Sequence, residues 1–175
     1  QPCLGDFGQQ GIFSRLESGR ATVAELCDTA RRMAGQPHMA DADIIHAFEQ
    51  FLVGIPGERL DCLLRLKRHY HIFLLSNTNP IHWRMAEEKL FRYKGLGVND
   101  FFEKTFLSFE IGIEKPAPGI FRAVAAAGLD PGTTLFLDDS EANCEAARRE
   151  GFQAHIAPQG GTWMNYFDAN DRLCI

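Results

Sequence analysis

The chain has 175 residues, room for one domain or one domain carrying a small insert, and its 45% apolar content with 14 Phe is ample for a packed core. A net charge of −5, with no basic run longer than two, argues against nucleic acid and against an anionic membrane surface as partners. No apolar stretch approaches bilayer length and no signal peptide is visible; the five scattered cysteines form no C-x-x-C, which reads as reduced thiols in a cytoplasmic protein.

Up to about residue 56 the patterning is helical throughout. Thr22-x-x-Glu25 is a capping box opening "VAELCDTARRMAG", with Val23, Leu26, Ala30 and Met33 on one stripe and Gly35 as a stop. Asp41 or Asp43 is expected to cap "IIHAFEQFLVG", where Ile44, Ile45, Phe48, Phe51 and Leu52 form the apolar face up to Gly54. Ile55-Pro56-Gly57 punctuates the chain, and the rhythm then alternates. "RLDCLLRLKRHY" is helical, and "HIFLLS" is a short apolar run of the kind buried on both faces of a parallel sheet. Asn79-Pro80 supplies an N-cap and first helical residue for "IHWRMAEEKLF". "KTFLSF", "TTLFLDD" and "FQAHIA" read as strands, "PGIFRAVAAAG" and "SEANCEAARREG" as helices. This predicts an α/β fold: a Rossmann-like parallel sheet flanked by helices, residues 57–175, preceded by a small helical unit, residues 1–56.

In such sheets ligands sit beyond the carboxyl ends of the strands, and there the polar residues gather. Ser76-Asn77-Thr78-Asn79 follows the first strand, Gly112-Ile113-Glu114-Lys115-Pro116 lies just beyond the second, and Asp138-Asp139-Ser140 ends the third. Adjacent carboxylates call for a cation, and oxygen ligands beside a phosphate suit Mg²⁺. Lys115 is a compact charge for a phosphoryl oxygen, and the Ser76 hydroxyl and Asn77 amide are donors for the others. Taken singly, Ser76-Asn77 reads as an N-cap turn, the acid pair as helix capping and Lys115 as a solvated lysine. Together they read as phosphoryl recognition with a metal. The six histidines show no ligand spacing, Trp83 and Arg84 suit either a pocket wall or helix packing, and Gly160-Gly161-Thr162-Trp163 reads as a loop into a short tail helix.

"LLSNTN", "GIEKPAPGIF" and "LFLDDSEANCEAARREG", in that order and spacing, resemble motifs two, three and four of the haloacid dehalogenase-like (HAD) hydrolase superfamily. The small-helical-cap sugar-phosphatase and epoxide-hydrolase N-domain branch is the most similar, and "GIFSRLESGRATVAEL" fits its cap. The resemblance implies that Ser76 and Asn77 bind the phosphoryl group, that Lys115 stabilises its charge, and that Asp139, assisted by Asp138, holds Mg²⁺. It implies a Mg²⁺-dependent phosphatase for a small phosphorylated metabolite such as a sugar phosphate, working through an aspartyl phosphate, as a monomer or weak homodimer. The alternatives are a dehalogenase, which has no use for the acid pair, and a catalytically inactive HAD-like binding module.

The superfamily's first motif, a strand ending in an Asp nucleophile, has no counterpart. Asp6-Phe7-Gly8 imitates its start, but "QPCLG" is no buried strand and Asp6 lies too close to the cap-like segment. The missing strand belongs between those ending at Ser76 and Asp138, where its loss would leave buried backbone groups unpaired. The chain begins Gln1-Pro2-Cys3 without an initiator Met, and about 30 or more further residues carrying that strand are expected.

Overall fold

A computed structural model describes residues 11–157 and 161–175; Asp6 and Gly160 lie outside the described residues. Three helices come first: α1 (Ile12–Glu17), α2 (Val23–Ala34) and α3 (Asp41–Glu49). The Thr22 capping box forms as expected, with Glu25 N–H donating to Thr22 Oγ1 at 3.2 Å and Thr22 N–H to Glu25 Oε2 at 2.7 Å. Gly35 stops α2 in the left-handed region at φ +64°. The start of α3 differs from expectation: Ala40 is the N-cap, and Asp41 and Asp43 fall in the first turn. Asp41 instead receives the Arg31 guanidinium of α2, which ties the two helices together. The helix also ends at Glu49, well before Gly54, so Phe51 lies beyond it, 70% exposed, rather than on its apolar face.

The second layer alternates as predicted. α4 (Gly57–Leu66) leads to β1 (Phe73–Ser76), and α5 (Pro80–Met85) runs on into a π-helical turn, Ala86–Leu90. Asn79 caps α5, its Oδ1 accepting from the backbone N–H groups of Ile81 and His82 at 3.1 Å each. The short α6 (Val98–Phe101) precedes β2 (Lys104–Leu107), and α7 (Ser108–Ile111) follows it at once. α8 (Pro118–Ala126), β3 (Leu135–Asp138), α9 (Glu141–Arg149) and β4 (Gln153–Ile156) complete the alternation. The tail makes a 3₁₀ turn at Thr162–Tyr166, and Asp171 there accepts from Arg65 of α4 at 3.1 Å.

β1 pairs parallel with β2 from Phe73↔Lys104 to Ser76↔Leu107, and β3 with β4 from Leu135↔Gln153 to Asp138↔Ile156. Among the described residues β1 and β3 do not pair with each other and no strand lies between them. Burial follows suit. Every residue of β1 is only partly buried, whereas Phe106 and Leu107 of β2 and Ala154 of β4 are fully so. One apolar cluster joins Ile120, Phe121 and Val124 of α8 to Cys144, Ala146 and Ala147 of α9 beneath β2 and β4. A second gathers Leu60, Ala86, Phe91, Phe101 and Phe102 on the α4 side. The N-terminal helices touch this layer closely: Gly19, at φ +66°, lies where a Cβ would run into the Phe109 carbonyl oxygen of α7.

Candidate functional site

The carboxyl ends of β1 and β3 face one another across Lys115. Its Nζ donates to Leu75 O of β1 at 3.1 Å and to Asp138 Oδ2 of β3 at 2.6 Å, and both side chains are largely buried, 9% and 6% exposed. One ammonium therefore joins the two strand pairs. Its backbone is clasped in turn by Asn77, whose Oδ1 accepts from Lys115 N–H at 2.8 Å while its Nδ2 donates to Lys115 O at 2.9 Å. The sequence reading treated the Asn77 amide as a phosphoryl donor. In the fold the amide clasps the Lys115 backbone, which takes its oxygen and one of its two amide hydrogens.

Asp138 is held from three sides. Besides Lys115, Ser140 N–H and Asn143 Nδ2 donate to its Oδ1 at 2.9 and 2.8 Å. Burial alone would raise its pKa, but these donors outweigh burial and hold the carboxyl below its ordinary value of 3.8. Asp139, the next residue, is exposed. Ser76 Oγ makes one long contact, 3.4 Å, to the Asn77 carbonyl, leaving the hydroxyl at the end of β1. Ser76, Asn77, Lys115 and Asp138 thus share one rim, with Asp139 following Asp138 in the chain.

This donor set fits Mg²⁺, which takes one or two carboxylates, waters and a phosphate oxygen. Asp138 already accepts three hydrogen bonds and keeps one in-plane lone pair on Oδ2. Among the described residues no group of three or more His, Cys, Asp or Glu side chains gathers into a metal cluster.

Three contributors escaped sequence reasoning. Asn143 steadies Asp138 from α9, and only its position five residues on could have hinted at it. Ser108, fully buried after β2, accepts from Thr78 N–H at 3.0 Å and donates to Thr78 O at 3.1 Å, fixing the loop behind Ser76-Asn77. Ser14 of α1 donates to Glu114 Oε1 at 2.9 Å, bringing the N-terminal helices to the residue before Lys115. Glu17, one turn further along α1, has its pKa raised, by burial first and then by the charge of Glu114.

A family model described as haloacid dehalogenase-like hydrolase matches residues 11–151. The chain is similar to D-ribitol-5-phosphate phosphatase of Bacteroides thetaiotaomicron, 32% identical over 161 residues that cover 91% of this chain and 78% of the relative. It is similar over a shorter stretch to glyceraldehyde 3-phosphate phosphatase of Pyrococcus furiosus, 36% identical over 92 residues covering 51% of this chain and 35% of that protein. A solved HAD family enzyme of Bacteroides thetaiotaomicron, in complex with magnesium and inorganic phosphate, superposes with a TM-score of 0.90 at 42% identity, covering 95% of this chain and 84% of that one. With three motif-bearing segments in the expected order, a shared rim and matches of this extent, the chain belongs to the haloacid dehalogenase-like hydrolases.

Proposed function

We propose that this chain is the substrate-binding and charge-stabilising body of a Mg²⁺-dependent phosphatase for small phosphorylated polyols or sugars. The observation that carries the reading is the Lys115 ammonium, which joins the end of β1 to Asp138 of β3 at the rim where strands of this fold present ligands. The curated relatives act on D-ribitol 5-phosphate and glyceraldehyde 3-phosphate, and a solved relative holds magnesium with phosphate, which supports the substrate class and the metal.

In this reading Ser76 Oγ and the main chain at Asn77 donate to the phosphoryl oxygens, and Lys115 neutralises charge that grows as the phosphate ester breaks. Asp139 would hold Mg²⁺, and Asp138 orients Lys115. When bound, the metal supplies Lewis-acid stabilisation of the phosphoryl charge. An Asp between β1 and β3 would face the phosphorus, and no described residue fills that place. The helices α1–α3 form the cap, residues 1–56, over a core of residues 57–175, and the cap excludes water and selects the substrate. A monomer or weak homodimer in the cytoplasm completes the proposal, consistent with free thiols at Cys27, Cys62, Cys144 and Cys174.

The test is phosphate release from D-ribitol 5-phosphate and from glyceraldehyde 3-phosphate by the full-length protein, with Mg²⁺ and after chelation. The expected result is Mg²⁺-dependent turnover that falls about 10²–10³-fold in Lys115→Ala, the range for losing one charge-stabilising donor. Undiminished turnover after chelation, or in Lys115→Ala, would overturn the reading.

A further inference from the structure

The N-terminal helices meet the α/β layer along the first turn of α5. Ile81 there is 2% exposed and is buried among Ile12, Leu16 and Leu26 of α1 and α2. The next residue, His82, makes a contact whose proton positions can be worked out. Asn79 Oδ1 takes the N–H groups of Ile81 and His82, which fixes the orientation of the amide and leaves Nδ2 3.1 Å from His82 Nδ1. His82 Nδ1 is therefore the accepting nitrogen, and the ring proton sits on Nε2. Nε2 lies 3.0 Å from Phe48 O, in the last turn of α3, and donates to it. That carbonyl also accepts Phe51 N–H at 3.1 Å and has a second lone pair for the imidazole.

The other contacts along this seam are less directional. Glu49 meets Arg84 at 3.5 Å and Lys89 at 3.6 Å, and both basic side chains are more than half exposed, a setting in which ion pairs hold weakly. The apolar contact through Ile81 favours proximity but no particular orientation. Among the described residues at the first turn of α5, the imidazole is hydrogen-bonded to both layers: to the N-cap of the helix following Ser76-Asn77, and to the end of α3.

We propose that His82, as its Nε2–H tautomer, is a positioning residue that pins α3 to the first turn of α5 and so sets how the N-terminal helices stand over the Ser76, Lys115 and Asp138 rim. The kinetic part of the test rests on the phosphatase and cap reading; the exchange part does not.

Two substitutions separate the two halves of the contact. His82→Gln places an amide nitrogen near the Nε2 position and keeps the bond to Phe48 O. His82→Asn places an acceptor near Nδ1 and loses that bond. Amide hydrogen exchange is read at Phe51 and Leu52, whose N–H groups bond Phe48 O and Glu49 O at 3.1 and 3.2 Å. Exchange there should quicken about three- to tenfold in His82→Asn, the factor one neutral hydrogen bond supplies. It should stay near wild type in His82→Gln, with α8 and α9 unchanged in both. In turnover of D-ribitol 5-phosphate, KM should rise by a similar factor in His82→Asn while kcat for a small aryl phosphate holds.

Equal behaviour of the two variants would overturn the proposal, because the Asn79 contact would then be what matters. Lost protection in α8 and α9 would also overturn it, since His82 would then support the whole fold rather than the seam. If no phosphate ester is turned over, the functional reading fails, and the exchange comparison still decides the role of His82.

Discussion

The pair Lys115–Asp138 concentrates the electrostatics of this molecule in two side chains that solvent barely reaches. Removing one partner strands the other charge in the interior, so Lys115→Met should cost about 3–5 kcal/mol in urea denaturation. Asp138 also makes stability depend on acid. Its folded pKa lies below the ordinary 3.8, so as pH falls the unfolded chain takes up the proton first. The stability it contributes is present above that value and is lost as pH drops through the lower folded value. Denaturation midpoints measured from about pH 5 to about pH 2 should fall in wild type and change less in Asp138→Asn. Glu17 has the opposite sign, because burial and Glu114 raise its pKa above 4.5. Its contribution is full below 4.5 and is lost as pH rises through the folded value, so Glu17→Gln should stabilise the protein at neutral pH and gain nothing in acid. Asp138 was legible in the sequence because it ends a strand of an alternating pattern, and Lys115 because it stands in the family-like segment "GIEKPAPGIF". The clasp of Asn77 on the Lys115 backbone was not, since an amide side chain takes whichever partner the folded loops bring to it.

Helix starts show where local sequence rules reach and where they stop. Thr22 with Glu25, and Asn79 before Pro80, act as their sequence patterns predict, because a cap draws on backbone N–H groups only a few residues away. Asp41 breaks the rule because Arg31, from another helix, is a stronger partner for a carboxylate than a backbone N–H. Asn79 is 1% exposed and satisfies two backbone donors, so Asn79→Ala should lower stability by about 1–2 kcal/mol, read as a shift in the urea midpoint at constant slope. The same change at exposed Thr22 belongs near the lower end of that range.

At the scale of the whole molecule, the alternation of helix and strand was legible from period and punctuation, and the parallel pairings follow it. The order of strands in space was not, because crossovers leave no local mark. Inner strands of a covered parallel sheet are normally its most buried. Here every residue of β1 is only partly buried, and among the described residues β1 pairs with β2 alone. Ile81 has a different consequence. It comes from the α/β layer by sequence but packs inside the cluster formed by the N-terminal helices. The two layers therefore do not divide at a chain boundary. A chimera that exchanged residues 12–49 for the corresponding helices of a relative would inherit a hydrophobic core lacking the one member that residue 81 supplies, and should recover stability only when residue 81 is recruited from the same donor.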